Sequence, residues 1–167
     1  MTDTVTILSH DQILHKTKRI AFQIYETFID QEQIIIAGIK NKGSVFAKMV
    51  MDELLQISEL KVQLCQLSLE KDHSGIYQIK STLEKESFKD KGVVVIDDVL
   101  HTGATLIYAV NYFLSVPTYK IKTAVLVDRN HKQYPIKVDF KGLSLSTSLN
   151  EHVEVCFNTG RNYVILT

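Results

Sequence analysis

Residues 93–110 read VVVIDDVLHTGATLIYAV. Four consecutive β-branched residues, Val93–Ile96, ask for a strand, and an unbroken apolar run suits one covered on both faces, as in a parallel sheet. Two adjacent carboxylates follow, Asp97 and Asp98. Then come a turn of small residues, Thr102-Gly103-Ala104-Thr105, and an apolar helical pattern over Gly103–Leu114 that Pro117 stops. A helix N-terminus offers free amides and the positive end of its dipole, and glycine lets an anion approach the backbone. Thr102 and Thr105 add hydroxyl donors, so the turn suits a phosphate. The two carboxylates can accept hydrogen bonds from vicinal sugar hydroxyls or help place a divalent cation. One ligand carrying a phosphate, a ribose and a metal accounts for all of this. A capped βα turn with solvated acids is the plainer alternative.

The rest of the chain repeats the strand-then-helix rhythm. Ser9-His10-Asp11-Gln12 fits a capping box, and Ile13, Thr17, Ile20, Ile24 and Phe28 follow at helical spacing. Gln33–Ile39 (QIIIAGI) reads as a buried strand ending in Lys40-Asn41-Lys42-Gly43, before a second helix through Val45, Phe46, Met49, Val50 and Leu54. Lys61–Leu69 alternates like a strand, and Ile76–Ile79 suits a hairpin arm beyond the Ser74-Gly75 turn. Ile121–Val127 is a further buried strand, with short strands expected near Ile136–Phe140, His152–Phe157 and Tyr163–Leu166. The pattern predicts an α/β fold with a mostly parallel central sheet, whose ligands bind outside the carboxyl ends of the strands. No linker divides residues 1–167, so one domain is expected, with the polar stretch 70–91 as an excursion within it.

Composition narrows the function classes. Nineteen basic and nineteen acidic residues balance, so no global charge drives the chain to nucleic acid or membrane. Cys65 and Cys156 form no CxxC pair, the six histidines show no metal-ligand spacing, and no serine lies in a G-x-S-x-G elbow. A disulfide scaffold, a zinc site and a hydrolase triad therefore lack support. The polar N-terminus and the lack of any membrane-length apolar run lead us to expect a cytoplasmic protein.

The stretch VVVIDDVLHTGAT resembles the phosphoribosyl-pyrophosphate (PRPP) signature of type I phosphoribosyltransferases. IIIAGIKNKGSVFAK, residues 34–48, is similar to that family's pyrophosphate-loop strand and helix. AVLVDRNHKQYPIKVDFKG, residues 124–142, resembles one branch in particular, the PyrR type, which combines pyrimidine-operon regulation with uracil phosphoribosyltransfer. The resemblance implies a hood beside the sheet, a mobile loop at about 70–91, a homodimer, and Mg²⁺-dependent transfer of phosphoribose from PRPP to a nucleobase, with uracil preferred.

It implies that Asp97 and Asp98 contact the ribose hydroxyls, directly or through Mg²⁺. Thr102, Gly103, Ala104 and Thr105 would cradle the 5′-phosphate, and Lys40, Asn41, Lys42 and Gly43 would meet the pyrophosphate. Asp128 and Arg129 would approach the pyrophosphate and base, although a strand-end salt bridge explains that pair equally well. His101 stands where purine-type relatives often carry an acid and the PyrR type an aromatic, which leans towards a pyrimidine. Ala104 stands where the PyrR type often has arginine, and the opening of the 70–91 stretch departs from the family's acid-rich loop. RNA binding through the first helix would draw on Lys16, Lys18 and Arg19, but three basic residues read better as a solvated face.

Overall fold

The apolar runs Ile34–Ile36 and Val93–Ile96 lie side by side at the centre of a six-stranded sheet, each residue fully buried. The structure, a computed structural model, describes residues 4–148 and 150–167. In chain order the elements are β1 (Val5–Leu8), α1 (His10–Thr27), β2 (Gln33–Ile39), α2 (Lys42–Ile57), β3 (Lys61–Lys71), β4 (Tyr77–Ser81), a 3₁₀ turn (Lys85–Phe88), β5 (Gly92–Leu100), α3 (Ala104–Leu114), β6 (Lys120–Asp128), β7 (Phe140–Ser144), β8 (Val153–Asn158) and β9 (Arg161–Leu166). The large sheet runs β4-β3-β2-β5-β6-β7 and is parallel except for the β3–β4 hairpin. A small antiparallel sheet, β1-β9-β8, forms the hood.

Period-two alternation explains why the central strands are apolar throughout. Ile34, Ile36, Val94, Ile96, Ala124 and Leu126 face α1, α2 and the hood. Ile35, Ala37, Val93, Val95 and Val125 face the other way, onto Phe88, Leu106, Ala109 and Phe113. Each fully buried valine, leucine, isoleucine or phenylalanine among them contributes roughly 1.5–3 kcal/mol. The α1 capping box is present, and Arg19 donates to the carbonyls of Lys141 and Gly142 at 2.8 and 2.9 Å, tying α1 to the edge strand β7.

Strand order positions the site. Chain direction across the sheet reverses between β2 and β5, because β2 leads outward to β3 while β5 leads to β6 on the other side. Such a switch point leaves a crevice where the two outgoing loops part. β5 pairs with β2 only as far as Ile96, then continues to Leu100 against β6 alone. Asp97 and Asp98 therefore lie in the last part of the strand, beside the gap left where β2 turns away.

Several elements differ from the sequence expectation. Residues 136–139 are not strand, and β7 begins at Phe140. The segment after Asn130 folds back instead: the Gln133 and Tyr134 amides donate to the Thr102 carbonyl, and Pro135 has no amide to offer a ladder. α3 starts at Ala104 because Gly103, at φ 87°, is its left-handed cap. β1 was not expected; its four residues carry little pattern and are fixed by pairing with distant β9. The 70–91 stretch holds the expected hairpin and then the 3₁₀ turn. Asp72 closes the hairpin, its carboxyl pulled down to about 2 by hydrogen bonds from Ser74 and Gln78. Tyr77 packs edge-on against Tyr108 of α3, with ring centroids 4.9 Å apart. Among the described residues, no helix is long and apolar enough to cross a membrane.

Candidate active site

Two loops meet at the switch point. The first leaves β2 through Lys40 and Asn41 into α2. Asn41 adopts φ 73°, ψ −124°, a backbone region that side chains rarely occupy. Its carbonyl accepts from the amides of Ser44 and Val45 at 3.1 and 3.2 Å, and the Ser44 hydroxyl turns back to the carbonyls of Gly38 and Ile39. The helix itself offers no acceptor to the amides of Lys42 and Gly43, so an anion in front of the loop can take them. Strain of about 1–3 kcal/mol at Asn41 is held by these contacts. Asn41→Gly should relieve part of it and leave the melting temperature unchanged or a few degrees higher, despite the extra chain entropy of glycine. A marked drop in thermal unfolding would show that the Asn41 side chain supports the loop.

The second loop follows β5. The Ala104 amide donates to Thr102 Oγ1 at 3.2 Å, and Ile107 donates to the Gly103 carbonyl at 3.0 Å. The intervening amides of Thr105 and Leu106 belong to the first helical turn and have no intrahelical acceptor. A Cβ on Gly103 would come within 2.6 Å of Ile136, so glycine is required by both its φ and its neighbour. The turn has the backbone geometry of an anion cradle.

Asp97 sits against the first loop. Its Oδ1 accepts from the Asp98 amide at 2.9 Å and would be 2.8 Å from a Cβ on Gly43. Although part of its surface stays open, burial first, and then the charge of Asp98, raise its pKa well above the usual carboxylate range.

Asp98 lines a cleft of about 350 Å³ together with Lys42, His101, Arg129, His152 and Glu154. Lys42 Nζ lies 3.4 Å from Glu154 Oε1, so an ion pair joins the β2 loop to the hood. Arg129 is buried, with Nε donating to Thr147 Oγ1 at 3.1 Å and a terminal nitrogen donating to the Glu151 carbonyl at 2.6 Å. Partial burial, and then the neighbouring Arg129, His131 and His152, hold the His101 pKa below its ordinary value, so its ring is mainly neutral at pH 7.

The residues singled out from sequence thus separate into groups. Lys42, Asp98, His101 and Arg129 share the cleft, Asp97 packs against Gly43, and Gly103 packs against Ile136. Lys40 is exposed, with its amide donating to the Leu67 carbonyl at 2.7 Å. Asp128 is buried and engaged with Lys141 Nζ at 3.1 Å and the Asn130 amide at 3.0 Å, so the strand-end salt bridge describes it. His152 and Glu154 were missed, since nothing in His152-Val153-Glu154-Val155 at the start of β8 marks them as facing a ligand cleft.

The chain as a whole matches a known domain. A family model for the phosphoribosyl transferase domain covers residues 3–162. The chain belongs to that family. A phosphoribosyltransferase-family relative from Fusobacterium nucleatum, the "Bifunctional protein PyrR", is 32% identical over 156 residues, spanning 89% of this chain and 88% of its own length. The protein of the same name from Pediococcus pentosaceus is 34% identical over 146 residues, spanning 82% of each chain. In fold, the phosphoribosyltransferase chain is similar to a hypoxanthine-guanine phosphoribosyltransferase from Bacillus anthracis, with a TM-score of 0.72 at 20% identity over 86% of this chain and 83% of that one. The hypoxanthine phosphoribosyltransferase of Trypanosoma cruzi gives a TM-score of 0.75 at 15% identity, over 89% and 83%.

Proposed function

We propose that the chain transfers the phosphoribosyl group of PRPP to a nucleobase, uracil first among the candidates, with Mg²⁺ and with release of pyrophosphate. The observation that carries this reading is that Lys42 and Asp98 line one cleft, with Asp97 packed against Gly43 and the Thr102–Thr105 turn leading from the end of β5 into α3. In the reaction, the bond from the anomeric carbon to pyrophosphate breaks, a bond to a ring nitrogen forms, and that nitrogen loses its proton. The transition state is cation-like at the sugar, so the protein's tasks are positioning and charge stabilisation, and no protein nucleophile is needed. Thr102–Thr105 would hold the 5′-phosphate, Asp98 and Asp97 the ribose side, and Lys42 with the loop amides the leaving pyrophosphate.

Among the described residues no three His, Cys, Asp or Glu side chains gather into a metal cage. That fits Mg²⁺, which takes one or two carboxylates together with phosphate oxygens and water. Asp97 and Asp98 would be its protein contacts, and the ion would neutralise charge on the leaving group. Uracil is favoured by the PyrR-like segment and by His101, a histidine that lines the cleft where purine-type relatives often carry an acid. A homodimer in the cytoplasm completes the proposal.

An RNA-binding regulator with weak catalysis is the second reading. It is favoured by relatives that carry the name of a bifunctional protein and by exposed Lys18 and part-exposed Lys16 on α1. Against it, the Arg19 guanidinium is committed to β7.

The test is pyrophosphate release from PRPP with Mg²⁺ against uracil, hypoxanthine, guanine, adenine and orotate. Base-dependent release is expected, with uracil fastest. Silence across the panel, with PRPP still binding by calorimetry, would reject the enzyme reading and favour the regulator.

A further inference from the structure

The ion pair between Lys42 and Glu154 lies where α2 meets the hood, beside the stacked rings of Phe46 and Phe157. Lys42 opens α2, at the end of the loop assigned to pyrophosphate, whereas Glu154 lies on β8 of the hood. Their side chains meet at 3.4 Å and line the same cleft as Asp98 and Arg129. Both side chains remain nearly half exposed, at 44% and 45%, so the pair is wet and weak, and another anion can displace either partner. Glu154 lies between Val153 and Val155, which are buried in the core, and all three line the cleft.

We propose that Glu154 is a positioning residue that parks the Lys42 ammonium across the cleft until a diphosphate group draws it away. This rests on the phosphoribosyltransferase reading. A lysine left free beside empty anion-binding amides could lie anywhere along its flexible stem. Paired with Glu154, it is held in front of the loop at the cost of a competition that each incoming diphosphate must win. The exchange swaps one carboxylate partner for a doubly or triply charged one, so the ligand prevails.

The experiment compares binding of PRPP, and separately of inorganic pyrophosphate, by calorimetry without base, in four full-length proteins: wild type, Glu154→Gln, Lys42→Met and the double variant. A half-exposed pair of this kind predicts that Glu154→Gln binds both probes about three- to fivefold more tightly, less so at high salt. The decisive comparison is the Lys42→Met background. If Glu154 acts through Lys42, Glu154→Gln has no further effect there. If the same tightening persists there, Glu154 is merely a repulsive charge near the cleft and the proposal falls. It also falls if Glu154→Gln leaves affinity unchanged or weakens it while wild type binds PRPP. Wild type that binds neither probe would instead remove the phosphoribosyltransferase reading, and this proposal with it. Thermal unfolding of each variant separates these outcomes from loss of fold.

Discussion

Asp98→Asn is expected to lower pyrophosphate release from PRPP by about 100- to 1,000-fold, the scale seen when one group that stabilises a charged transition state is removed. The substitution keeps the shape of the side chain and removes its charge. Asp98 is the member of the acid pair that lines the cleft, whereas Asp97 lies against Gly43 and the Asp98 amide. A cation-like sugar in front of Asp98 would lose its nearest counter-charge, and a divalent ion would lose a ligand. The fold should survive, because in the unliganded protein the charge of Asp98 is a source of repulsion, raising the pKa of Asp97 after burial has already done so.

That second effect gives an independent readout. Asp97 keeps its proton to higher pH in the folded protein than in the unfolded chain, where a carboxyl titrates near 3.9. The folded state therefore binds more protons between the two values. The stability this contributes is complete below the unfolded value and is lost as pH rises through the folded one. Asp98→Asn should shrink this loss, so the variant's denaturant midpoint should fall less with rising pH than that of wild type. Full activity in the variant would overturn the role given to Asp98. An unchanged pH dependence of stability would show instead that the two carboxyls do not interact.

How far the sequence reached depended on whether a feature was local. The β5–α3 stretch was legible because each requirement falls on consecutive residues: apolar side chains for a strand buried on both faces, acids where pairing with β2 ends, and glycine where φ must be positive. The Lys40–Gly43 loop was legible by its likeness to the family. Its decisive physical feature, the strained backbone of Asn41, was not, because asparagine in a turn has an ordinary appearance. The hood wall was hidden for a different reason. Glu154 comes from a short strand, and His152 from the residue before it; the strand's orientation is set by pairing with β9 and by packing of Val153 and Val155. Asp128 and Arg129 show the same limit. Adjacent in sequence, they part in space, one toward Lys141 and the other toward the cleft and Thr147. No pattern in V-L-V-D-R indicates which of the two turns inward.

Gly43→Ala is expected to weaken PRPP binding by about 10- to 100-fold with only a modest change in stability. Gly43 is at the start of α2 and its φ is not in the left-handed region, so the backbone accepts alanine, which favours a helix by about 1 kcal/mol over glycine. The obstacle is space. A Cβ there would be 2.8 Å from Asp97 Oδ1, 3.1 Å from the Ile39 Cβ and 3.2 Å from the Asp97 Cα. The carboxylate oxygen could rotate away, but the other two atoms are fixed by the ends of β2 and β5, which pair with β3 and β6. Relief therefore requires Asp97 to leave its place under the cleft and the loop to move outward, taking the amides of Lys42 and Gly43 with it. Crowding of this kind costs about 1–3 kcal/mol, partly offset by the helix preference, so the melting temperature should shift little. Binding has no such offset, because a displacement near 1 Å in a positioning loop costs about 100-fold. Calorimetry with PRPP, alongside thermal unfolding, separates the two effects. Wild-type affinity in Gly43→Ala would mean that the loop tolerates the shift, and the close contact between Gly43 and Asp97 would then have no bearing on diphosphate binding.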